Sequence, residues 1–141
     1  MRYITVTADI TAPLYWWKEY DTYKVGTVAN SCSTMHKIHS KEFTIDDFSY
    51  EHFDLRGIQL MEEIIDFLNH ARDEFNSTKD KDAWWDMIQM LPSSYNQRRT
   101  VLLNYAVLRN MYHARKNHKL DEWHTFCHWI ESLPQSELIT M

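Results

Sequence analysis

The chain has 141 residues, 44% of them hydrophobic and 14% aromatic, which supports one hydrophobic core and excludes wholesale disorder. Its formal net charge of -5 excludes a chain-wide basic surface for long nucleic acid. Two cysteines, Cys32 and Cys127, cannot frame a disulfide scaffold. No apolar run reaches the length of a membrane span, and the first residues lack a signal-peptide pattern. A cytoplasmic, non-membrane protein of one domain over residues 1–141 is therefore expected.

Residues 3–11 alternate Ile4, Val6, Ala8 and Ile10 with Thr5, Thr7, Asp9 and Thr11, the period of a half-buried strand that Pro13 ends. The aromatic-rich stretch from Leu14 to Tyr20 reads as a short helix. Residues 21–40 read as a structured loop leading into a short helix. Thr44 and Asp47 have capping-box spacing and would open a short segment over 44–53. From Leu55 to Phe75, apolar residues recur every three or four positions, the signature of an amphipathic helix. Ser77 or Thr78 would cap the next helix, which runs through Trp84, Trp85, Ile88 and Leu91 to Pro92. A third long helix is predicted over about 97–118, and a fourth from Leu120 to Leu133. The class is α+β: mostly helical, with a small sheet. The one clear strand needs a partner, either a weaker strand in the loop region or another subunit.

The charge distribution is uneven. Residues 97–119 carry six Lys and Arg and no Asp or Glu, against nine positive and 20 negative residues elsewhere. Such a stretch suits a small anion, a phosphate above all, although a solvated basic helix face would look the same. On a continuous helix Asn104 and Arg115 would share a face, about 16 Å apart, with His118 one turn beyond Arg115. His124 and His128 stand four apart but lack the following glutamate of a zinc-protease motif, so no metal site is expected. Cys32, flanked by Ser31 and Ser33, has no neighbouring base to make it a nucleophile.

Residues 91–123 read LPSSYNQRRTVLLNYAVLRNMYHARKNHKLDEW, and this stretch resembles the C-terminal half of the flavin-dependent thymidylate synthases. Ile-Thr-Ala-Pro at 10–13 is similar to the strand and proline that precede that family's signature. The resemblance implies a flavin-dependent thymidylate synthase-like domain using FAD to methylate dUMP reductively. It also implies a homotetramer with sites built between subunits. It lays Asn104, Asn110 and His118 on flavin-contacting positions and Arg115 on the position that binds the nucleotide. Asn30 and Ser33 fall on the signature's asparagine and second serine. There Tyr23-Lys24-Val25, or Thr22-Tyr23-Lys24 in the ungapped register, replaces Arg-His-Arg, so Lys24 stands in for two arginines. The arginine two residues past the first asparagine is Ala106 here. Lysine cannot reproduce the planar fork of an arginine. Arg98 and Arg99 complete the candidate substrate-binding set with Arg115 and Lys24.

The residues leave three readings open. The first is a synthase that still binds FAD and a uridylate. The second is a non-catalytic, phage-type protein that sequesters a nucleotide such as an immune second messenger. The third is a helical interaction module.

Overall fold

A computed structural model describes residues 1–24, 26–31 and 37–141, with residues 28–31 described by their backbone. The chain divides into two compact units, one formed by Met1–Ser31 with Arg98–Met141 and the other by Cys32–Gln97. Cys32 and Ser33 lie outside the described residues, as do residues 25 and 34–36 of the 21–40 stretch expected to lead into a short helix.

The first unit is built on a three-stranded sheet. Strand β1 (Thr5–Pro13) shows the expected alternation and passes without a loop into α1 (Leu14–Tyr20). Strand β2 is Thr27–Ser31 and β3 is Asn96–Asn104, and the order in the sheet is β1-β3-β2. β2 and β3 are antiparallel, with Thr27 opposite Leu103 and Ser31 opposite Arg99. The partner of β1 is therefore β3, and the strand found in the loop region pairs with β3 instead. This corrects the long helix expected over 97–118, whose first part is strand. The reason is visible in the alternation: Val101 and Leu103 are buried while Arg98, Thr100 and Leu102 are exposed. The outer face is tied by Asp9, which accepts from Thr100 Oγ1 at 2.5 Å and from Arg98 Nη2 at 2.8 Å. Those two bonds hold the Asp9 carboxyl below its usual range.

The helix proper, α4 (Tyr105–Arg115), begins where β3 stops. Asn104 is both the last residue of the strand and the cap of the helix. Its Oδ1 accepts from the Val107 N–H at 2.8 Å, which satisfies one of the first-turn donors. Asn104→Ala is expected to cost about 1 kcal/mol, with Asn104→Asp recovering most of it, read from urea midpoints. Helices α5 (Asp121–Glu131) and α6 (Glu137–Thr140) close this unit. Trp123, Cys127 and Ile130 point inward as the fourth-helix periodicity requires. Burial, with Glu131 nearby, pushes the Cys127 thiol up to about 11, so it stays protonated at neutral pH.

The core of this unit is aromatic. Trp16, Trp17, Tyr20 and Trp123 are all at most 1% exposed. Trp16 lies 4.9 Å from both Trp17 and Trp123, centroid to centroid, and 5.3 Å from Tyr20. Burial raises the Tyr20 hydroxyl to about 12.

The second unit is a helical hairpin. Helix α2 (Leu55–Thr78) buries Met61, Ile65, Leu68 and Ala71, and is capped by Asp54, which accepts from Gly57 N–H at 2.8 Å. Asn69 meets the Phe43 backbone twice, accepting from its N–H at 2.8 Å and donating to its carbonyl at 3.0 Å. The Thr44–Asp47 capping box forms as expected, but it opens a single 3₁₀ turn, Ile45–Asp47, not a longer helix. Helix α3 (Lys81–Met90) is capped by Asp80, not Ser77 or Thr78. Thr78 belongs to the last turn of α2 instead, where its hydroxyl donates to Glu74 O at 2.8 Å. No helix among the described residues is long and apolar enough to cross a membrane.

Candidate functional site

The site lies in the first unit, where the far end of α4 meets the end of α1. Arg115 is the last residue of α4. Its Nε donates to Tyr23 Oη at 3.0 Å and its Nη1 to Glu19 Oε1 at 2.8 Å. The guanidinium lies over the Trp123 ring at 4.8 Å and over the Tyr23 ring at 5.5 Å. Two aromatic rings and a phenol oxygen therefore hold it in place. Two of its five N–H groups are used in these bonds, which leaves donors for a ligand.

His118 follows in the turn after α4. Its Nε2 is 2.9 Å from the same Glu19 Oε1, while its Nδ1 accepts from the Leu120 N–H at 3.1 Å. With Nδ1 accepting, the proton of the neutral ring sits on Nε2 and is donated to Glu19. Arg115 and His118, two positions picked out from the sequence, are thus brought together on one carboxylate. The sequence reading missed that carboxylate. Glu19 stands 96 residues before Arg115, on a helix noticed only for its aromatic residues.

The other candidates lie elsewhere. Asn104 is at the opposite end of α4, with its oxygen committed to the cap. It packs against Gly26, whose φ is +81° and where an added Cβ would lie 2.6 Å from Asn104 Nδ2, so this close approach requires glycine. Asn110 is exposed in the middle of α4. Lys24 is exposed in the turn after α1. Asn30 is in β2, opposite Thr100, with only its backbone described.

Arg98 and Arg99 are on the sheet and not on a helix face. Arg98 pairs with Asp9. Arg99 grips Asp21 through Nη1 at 2.7 Å and Nη2 at 3.2 Å, with its guanidinium 4.4 Å from the Trp17 ring centre. The continuous basic stripe expected from the sequence is therefore divided between strand and helix. Arg98, Arg99 and Arg115 each meet an acidic residue distant in sequence: Asp9, Asp21 and Glu19. Arg109, Lys116 and Lys119 stand exposed. His124 Nε2 contacts the His118 carbonyl and His128 pairs with Glu131, so these two histidines are directed to different partners.

Of the expected flavin-contacting residues, Asn104, Asn110 and His118 are described in full, and these three do not gather within one chain. Asn104 and His118 are separated by the whole of α4, and Asn110 faces solvent between them. Among the described residues, the one end of α4 thus gathers Arg115, His118, Glu19 and Tyr23, and the other end holds Asn104 against Gly26.

The fold itself is flavin-dependent thymidylate synthase-like. Two solved structures of flavin-dependent thymidylate synthase ThyX from Helicobacter pylori, both determined with FAD and dUMP, superpose on it with TM-scores of 0.65 and 0.63. Each covers 96% of this chain at 14% identity, with 72% and 71% of the longer chain matched in turn. No family model matches the sequence, and no curated protein sequence does.

Proposed function

We propose that this chain is a nucleotide-binding protein, and that a uridylate such as dUMP is held by its phosphate or another anionic group at Arg115. One observation carries the reading. The residue that the sequence resemblance lays on a nucleotide-binding position is pinned by two aromatic rings and set beside His118, in a fold shared with proteins determined with dUMP. A guanidinium held in place pays less ordering entropy on binding an oxyanion than a mobile one. FAD is the second ligand the likeness implies. Since Asn104, Asn110 and His118 are spread along α4, a flavin site would need a second copy to complete it, and we include a homo-oligomer, a tetramer by resemblance, in the proposal.

Sequestration without turnover is the second reading. It is favoured by Lys24, a lone exposed lysine where the family pattern has two arginines. The two readings separate in one measurement. The purified protein is examined for flavin absorption in the visible range, its released ligand is identified after denaturation, and dUMP is titrated calorimetrically. Bound flavin together with dUMP binding supports the synthase line. A colourless protein that binds a nucleotide supports sequestration. Failure to bind or release any nucleotide overturns the proposal and leaves the interaction module.

A further inference from the structure

We infer that Glu19 is a built-in competitor for the ligand's anionic group, occupying the donors of Arg115 and His118 until a ligand displaces it. The inference rests on the nucleotide-binding reading above.

A single oxygen, Glu19 Oε1, takes both Arg115 Nη1 at 2.8 Å and His118 Nε2 at 2.9 Å. A carboxylate oxygen bound by a guanidinium and an imidazole presents the same acceptor chemistry as a phosphate oxygen. Glu19 therefore fills the position that an anionic ligand would take. Its carboxylate also cancels the guanidinium charge, so the resting cluster offers little long-range attraction to an anion.

The two partners are not held equally. The Arg115 guanidinium is fixed by the Trp123 and Tyr23 rings and by the Tyr23 oxygen, and its side chain is 19% exposed. The Glu19 side chain is 29% exposed and is placed by its contacts to Arg115 and His118. When an anion arrives, Glu19 is the group that can rotate into water while Arg115 stays in place. Exchange then substitutes one charge-assisted contact for another, and the affinity of the wild-type protein is only the difference between them.

The test compares wild type, Glu19→Gln and the double variant Glu19→Gln with Arg115→Ala. Each is titrated with inorganic phosphate, dUMP and deoxyuridine. Glutamine keeps the shape and removes the charge. Phosphate and dUMP are expected to bind Glu19→Gln about tenfold more tightly, the scale of one hydrogen bond to a charged group. Deoxyuridine affinity should not change, and the gain should vanish in the double variant. Glu19→Asp, which keeps the charge but withdraws it by one methylene, should gain less than Glu19→Gln, and it provides the comparison should Glu19→Gln not fold.

If Glu19 only braces α1 against α4, Glu19→Gln lowers the melting temperature and leaves anion affinity unchanged or weaker, which overturns the inference. Wild type binding dUMP as tightly as Glu19→Gln overturns it too, while leaving the nucleotide reading intact. If neither protein binds phosphate or dUMP, Arg115 is no anion site, and both the inference and the reading fall.

Discussion

Arg115→Ala is expected to weaken dUMP binding by on the order of a hundredfold while leaving the fold in place. Among the described residues, the guanidinium is the cation at the junction of α1 and α4 that two rings hold in place. Losing two charge-assisted contacts to a ligand costs at least about 1.5 kcal/mol each, and about 1.4 kcal/mol is tenfold in affinity, so the pair accounts for about two decades. The expected stability loss is smaller, about 1 kcal/mol, because the pair with Glu19 is partly exposed and water takes over part of its role. Arg115→Lys should restore the charge but little of the binding, because an ammonium cannot span two oxygens in one plane. Calorimetric titration with dUMP, alongside a thermal melt of each variant, separates the two effects. Intact dUMP affinity in a folded Arg115→Ala protein would remove Arg115 from the site.

Trp123→Ala carries the largest expected stability cost, about 3–5 kcal/mol. The indole is fully buried and packs against Trp16 at 4.9 Å and Phe126 at 5.6 Å, while its face also carries the Arg115 guanidinium. Total stabilities of about 5–15 kcal/mol make such a loss a large share of the whole. Trp123→Phe should recover a substantial part by refilling most of the volume. The check is the urea midpoint at constant slope. A loss under about 1 kcal/mol would mean that the cavity collapses and that the aromatic cluster is not what holds this unit together. The same residue links stability to recognition, so Trp123→Phe should also loosen Arg115 and weaken dUMP binding even where the protein remains folded.

Much of the fold could be read along the chain. The alternation of β1, the short aromatic helix after Pro13, the long three-and-four periodicity of α2 and the Thr44–Asp47 capping box are local patterns, and each appears where the pattern places it. β3 was hidden because no glycine or proline separates it from α4. Its alternation of Val101 and Leu103 with Arg98, Thr100 and Leu102 runs straight into a helical repeat. Asn104, a favoured cap residue, was the one local sign of the change.

The charges were harder to read. A surplus of positive residues over 97–119 looked like an anion-binding stripe. In the folded chain Arg99 meets Asp21 across 78 positions and Arg98 meets Asp9 across 89. Local counting cannot see a partner that only the tertiary structure supplies. For the same reason the sequence placed Arg115 and His118 among the candidates but gave no hint of Glu19.

Strand β1 runs into α1, and β3 into α4, with no connecting loop on either path. Glu19 and Arg115 are therefore carried on two struts anchored in neighbouring strands, and their meeting is a matter of helical phase. One residue inserted between Tyr105 and Arg115 would swing the guanidinium about 100° around its axis, away from both rings and the carboxylate. The phase lock extends past both helix ends, because Tyr23 beyond α1 and His118 beyond α4 complete the same cluster, so the spacing from β1 to Tyr23 and from β3 to His118 is fixed while the solvent-facing side chains of the two helices are not.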